Sequence, residues 1–116
     1  MAEKGDAKAQ YELGGMYVKG EGVAKDIVEA VTLWRKSAVQ GHAASQFNLG
    51  AMYAGGKEVK QDHLTAYAWF NIAAANGDEP AKKLRDEYAI RFTRDQISRA
   101  QELSRQMIEM NPSMIK

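Results

Sequence analysis

A shift of the chain by 36 residues brings it into register with itself. The match pairs Ala2 with Ala38, Gly5 with Gly41, Ala7 with Ala43, Gln10 with Gln46, Leu13 with Leu49 and Gly14 with Gly50. It continues through Met16 and Met52, Tyr17 and Tyr53, Gly20 and Gly56, Val23 and Val59, and Asp26 and Asp62. Ala30 with Ala66, Ala38 with Ala74 and Gly41 with Gly77 complete 14 identities in 40 ungapped positions. Tyr11 opposite Phe47 and Trp34 opposite Phe70 add pairs matched in size. Self-similarity at such a period is the mark of stacked units, none of which buries its apolar face alone.

The unit is helical. The chain has 18 Ala against 15 Val, Ile and Thr together, and only two prolines. Alanine is the least costly residue in a helix, whereas β-branched residues carry the strand preference. Ile27, Ala30, Val31, Trp34 and Ala38 recur at helical spacing, and Ala9, Leu13, Met16 and Tyr17 form a shorter stripe before them. Each unit therefore reads as helix A, a glycine loop and helix B. The boundaries are about Ala7 to Lys19 and Asp26 to Gln40, then about Ala43 to Ala54 and Asp62 to Asn76.

The punctuation agrees. Asp26 and Asp62 stand where a side-chain oxygen accepts unpaired backbone N–H groups, and Gly41 and Gly77 stand where a left-handed residue closes a helix. The A–B loop has Gly20 and Gly22 in one unit but Gly56 and Glu58 in the other, so its second glycine is not a shared requirement. Gly14 and Gly50 lie inside helix A, where glycine costs about 1 kcal/mol relative to alanine. Their recurrence at one phase predicts a facing B helix too close for a Cβ.

The pattern LG-x-MY, a glycine loop with Val and Asp, then A-x3-W-x3-A-x2-G resembles the Sel1-like repeat (SLR) family, relatives of the tetratricopeptide repeats. It is carried by Leu13, Gly14, Met16, Tyr17, Gly20, Gly22, Val23, Asp26, Ala30, Trp34, Ala38 and Gly41. Leu49, Gly50, Met52, Tyr53, Gly56, Val59, Asp62, Ala66, Phe70, Ala74 and Gly77 supply the second copy. The resemblance implies an all-α solenoid and a non-enzymatic adaptor, often bacterial, that binds a protein or peptide partner. It implies two alternatives as well: a structural fragment of a longer SLR protein, or a β-lactam-binding or hydrolysing enzyme. The paired cysteines of the SLR proteins linked to β-lactams are missing here.

One domain over residues 1–116 is expected: repeat 1 at about 6–41, repeat 2 at about 42–77, a C-terminal capping helix pair at about 78–111 and a tail at 112–116. Asp78 and Pro80 open the first capping helix, whose face is Ala81, Leu84, Tyr88 and Phe92. Thr93 and Gln96 have capping-box spacing and open the second, with Ile97, Ala100, Ser104, Met107 and Ile108 inward. At the other end, Ala2 to Gly5 aligns with the close of a B helix. Either a longer protein was trimmed there, or the first A helix is exposed to a partner.

Little points to chemistry. No cysteine excludes disulfides, thiolate metal sites and a cysteine nucleophile. His42 and His63 lack metal-ligand spacing, and His42 occupies the helix-capping position that Asp6 and Asp78 hold elsewhere. No serine lies in a nucleophile motif, no glycine run has a phosphate-loop ending, and no catalytic residue, cofactor or metal is expected. The 16 basic and 15 acidic residues are interleaved, giving no stripe for nucleic acid, and no apolar run is long enough for a membrane span. No targeting signal is visible. The compartment stays open between cytoplasm and, for a trimmed chain, the periplasm or exterior. Trp34, Trp69, Phe70 and the methionines sit at core spacing. The A-helix positions off the core stripe remain as a groove: Lys8, Tyr11, Glu12, Gly15 and Lys19, then Ala44, Phe47, Asn48, Ala51 and Gly55. Tyr11 and Phe47 are its candidate aromatic anchors, unless both rings pack between neighbouring helices.

Overall fold

The computed structural model describes residues 6–56 and 59–116; the expectations placed on Ala2 to Gly5 and on Glu58 lie outside these residues. Six α-helices follow one another: α1 (Ala7–Lys19), α2 (Ile27–Ala38), α3 (Ala43–Gly55), α4 (His63–Ala75), α5 (Glu79–Arg91) and α6 (Arg94–Met110). Helix α1 packs on α2 and α3 on α4 as hairpins, with α2 against α3 and α4 against α5 joining the layers. No strand occurs among the described residues.

The repeat extends to backbone torsions. Asp26 and Asp62 cap α2 and α4 at φ −152°, ψ 99° and φ −153°, ψ 98°, each accepting the N–H three residues on. Asp6, His42 and Asp78 cap α1, α3 and α5 with φ between −74° and −79°, so α5 begins as a third A helix. At Asp62, burial opposes ionisation, but hydrogen bonds from the Thr65 N–H and hydroxyl outweigh it and hold the carboxyl below its ordinary value.

Gly14 and Gly50 mark close approaches. A Cβ on Gly14 would lie 2.5 Å from Trp34 Nε1, and one on Gly50 would lie 2.7 Å from Phe70 Cδ1. The Trp34 ring is also pinned, because its Nε1–H donates to the Tyr11 carbonyl at 3.0 Å. Glycine's helix penalty at both sites is thus exchanged for contact between a bulky ring and the A-helix backbone.

Helix α4 is buried from Ala66 through Phe70, and again at Ile72 and Ala73. A helix apolar on all sides must be surrounded, and α3, α5 and α6 surround it. Helix α6 does not complete an A–B hairpin with α5; it turns back and packs along α4. Ala100 and Ser104 are its buried contacts, and the Ser104 hydroxyl accepts a 3.0 Å hydrogen bond from Asn71. Its outer face carries local ion pairs such as Arg99–Asp95, which are worth little at such exposure.

Two expectations need correction. Residues 112–116 are not a tail: Pro112–Met114 form a 3₁₀ turn, and Met114 is buried with Trp34, Ala38, Leu49, Trp69 and Ile72. The methionines are not uniformly core either. Met110 is 80% exposed on the solvent side of α6 and Met16 is 37% exposed on α1.

Candidate binding face

Two hollows open on the A-helix side of the molecule. One, of about 360 Å³, is lined by Tyr11, Glu12, Gly15, Met16, Val18 and Lys19 of α1, Glu21 of the loop and Asn48 of α3, with Trp34 of α2 at its base. The other, of about 230 Å³, is lined by Ala51 and Ala54 of α3, Phe70 of α4, and Leu84, Glu87, Tyr88 and Arg91 of α5. They are copies of one feature. A shift of 36 residues carries Gly15 onto Ala51, Val18 onto Ala54, Trp34 onto Phe70 and Asn48 onto Leu84. Each hollow is therefore a gap between successive A helices, based on the aromatic ring of the intervening B helix.

The side chains around these hollows are mainly engaged in holding helices together. Tyr88 lies 5.1 Å from Phe92 and 6.3 Å from Phe70, centroid to centroid, so rings from α4 and α5 form one aromatic wall. Its hydroxyl is 2.7 Å from His63 Nδ1, and burial raises its pKa, keeping the phenol a donor. His42 Nδ1 accepts the Ser45 N–H at 3.3 Å. Ser45 Oγ donates to Ser37 Oγ, which donates to the Ala7 carbonyl, so a buried polar relay crosses from α3 through α2 to α1. Burial and the nearby Lys116 ammonium lower the His42 pKa, as an imidazole that must keep an acceptor lone pair requires. Among the described residues no three His, Asp or Glu side chains converge as a metal site needs, and no buried side-chain polar atom lacks a partner.

The Sel1 repeat profile matches residues 7–42 and 43–78, which is more than half of the chain and covers both hairpins. The chain belongs to the Sel1 repeat family. A solved Sel1 structure, c5321, described as a protective antigen of uropathogenic Escherichia coli with an SLR fold, superposes with a TM-score of 0.86 at 36% identity. The match covers 97% of this chain and 25% of c5321, so the chain spans about a quarter of that relative. A Sel1 repeat protein from Oxalobacter formigenes gives a TM-score of 0.71 at 27% identity, covering 87% of this chain and 92% of that one. A search of curated proteins gave no match. Sel1 repeat proteins are generally protein-interaction modules built on a non-enzymatic scaffold, and no helix in the described residues is long and apolar enough to cross a membrane.

Within this Sel1 pair the expected groove residues separate. Tyr11, Glu12, Gly15, Lys19 and Asn48 share the larger hollow, and Ala51 lines the smaller one. Lys8, Ala44, Phe47 and Gly55 line neither. The two aromatic candidates also part company. Phe47 packs on Phe70 at 5.6 Å, whereas Tyr11 stacks on His42 at 5.0 Å with one side still on the hollow. The bases Trp34 and Phe70, and the whole α5 wall, were not among the candidates. A second 36-residue step would have reached Leu84 from Asn48, but identities stop after Gly77 and remove the signal.

Proposed function

We propose that this Sel1 repeat protein binds a peptide or a helix of a partner protein along its A-helix face, with the two hollows as consecutive anchor sites. The supporting observation is their duplication: the same small-residue rim and aromatic base recur one repeat apart. Concave apolar gaps with ring bases take up apolar side chains, and small rims leave room for a backbone.

The test blocks the rim and spares the core. A Cβ on Gly15 would meet nothing within 4 Å, and Ala51 is exposed, so Gly15→Arg and Ala51→Arg each fill a hollow without touching Trp34 or Phe70. Peptides would be selected from a displayed library on the purified chain and measured by titration calorimetry. Each arginine variant should weaken binding by about tenfold or more, or about 1.4 kcal/mol, while Lys36→Ala on exposed α2 surface leaves it unchanged. Equal affinity in both blocked variants, with native circular dichroism, refutes the assignment. Tyr11→Ala with Phe47→Ala is a weaker probe, because Phe47 is packed against the core ring Phe70.

A further inference from the structure

The last helix and the segment after it form an arm fastened to the wrong neighbour for a simple solenoid. Helix α6 follows α5 through only Phe92 and Thr93, yet its packing partner is α4. Beyond α6, the segment crosses to the turn between α2 and α3. The Ser113 hydroxyl donates to the Val39 carbonyl, and Met114 enters the core beside Ala38, Leu49 and Ile72. Two side-chain amides clamp its backbone. Gln46 Nε2 donates to the Met114 carbonyl at 3.0 Å, Asn76 Nδ2 donates to the same oxygen at 2.6 Å, and Asn76 Oδ1 accepts the Lys116 N–H at 2.9 Å. Asn76 also donates to Gln46 Oε1, so the clamp is held ready by its own hydrogen bond.

We propose that this arm, residues 94–116, is exchanged between two copies of the chain, each seating its α6 and Met114 on the α4 and amide clamp of the other. The surfaces that hold the arm lie on α4 and around the α2–α3 turn, and a second copy carries them unchanged. The link fixes the choice of host. The steps from Arg91 to Arg94 span at most about 10 Å, so a released arm has no alternative seat on its own body. Its options are its own α4 or that of another molecule. Reciprocal exchange is closed and two-fold, it preserves every arm contact, and it needs torsional change only at Phe92 and Thr93, so concentration sets the balance. The core of each protomer is then completed by the partner copy's Met114.

Complementation tests this on the full chain. Met114→Asp spoils the arm and leaves the clamp; Gln46→Leu spoils the clamp and leaves the arm. Each variant alone should run as a monomer in native mass spectrometry. A mixture, one component labelled with nitrogen-15, should give a one-to-one heterodimer that melts above either component. If both variants keep their helical circular dichroism and the mixture stays monomeric up to about millimolar concentration, the proposal fails. The link supplies a second measurement that leaves the core alone. Deleting Thr93 should raise the dimer fraction about tenfold or more at fixed concentration, and inserting Gly-Ser-Gly after Phe92 should reduce it, because link length sets the effective concentration of the arm at its own seat. Identical dimer fractions in the two link variants overturn the exchange even if a core variant fails to fold.

Discussion

Adjacent glycines in α1 should respond to the same substitution with opposite signs. Gly14 and Gly15 stand side by side in one helix, and replacing either with alanine gains about 1 kcal/mol of helix propensity. At Gly15 that gain should appear in full, since a Cβ there meets nothing within 4 Å. At Gly14 the Cβ would fall 2.5 Å from Trp34 Nε1 and 2.6 Å from its Cδ1. The ring cannot simply yield, because Trp34 is 6% exposed and its Nε1–H is bonded to Tyr11. Overpacking of this kind costs about 1–3 kcal/mol, and a weakened indole hydrogen bond adds about 1 kcal/mol. The net expectation is destabilisation of about 1–3 kcal/mol for Gly14→Ala against stabilisation of about 1 kcal/mol for Gly15→Ala. Urea denaturation followed by far-ultraviolet circular dichroism and tryptophan fluorescence measures both. With an m-value of about 1.5 kcal/mol/M, the two midpoints should separate by about 2 M. Gly50→Ala should repeat the Gly14 result against Phe70, whose Cδ1 and Cε1 both lie 2.7 Å from the added atom. Stabilisation of both Gly14→Ala and Gly50→Ala refutes the close approach.

Met114→Ala should cost about 2–4 kcal/mol in the same urea experiment, the range for truncating a buried methionine; a loss under about 0.5 kcal/mol would mean the segment does not contribute to the core. Thr93→Ala removes a capping box and should cost about 1 kcal/mol, with no change if the start of α6 is frayed. His42 should make stability depend on pH. Its folded-state pKa is lowered, so below about 6.5 the unfolded chain takes up a proton that the folded chain resists. Its contribution is complete above that pH and is lost as pH falls through the lower folded value. His42→Asn keeps a capping acceptor and should flatten the slope of unfolding free energy between pH 7 and 5; an unchanged slope assigns it to other groups. The slope from Asp62, whose pKa is also lowered, lies further into acid, below about 4, and should survive that substitution.

The local chemistry of each unit was legible along the chain. Asp26 and Asp62 announce helix starts, Gly41 and Gly77 announce turns at φ 91° and 94°, and Gly14 and Gly50 announce rings packed on backbone. Such signals involve residues a few positions apart, or recur at a fixed period that makes them visible twice. The hollows were half legible. Their α1 and α3 rims follow from helix phase, whereas the bases Trp34 and Phe70 were read as core, because an aromatic at core spacing looks the same whether or not one face stays open.

The sequence by itself determined the elements and their stacking order: amphipathic pairs at a 36-residue period have no other way to cover their apolar stripes. Tertiary structure alone decided where the polar helix α6 would lie and what became of the residues after it. Ser113 meets Val39 across 74 positions and Met114 meets Gln46 across 68. Contacts over such separations leave no periodic trace, since they depend on the space that already folded neighbours leave unfilled.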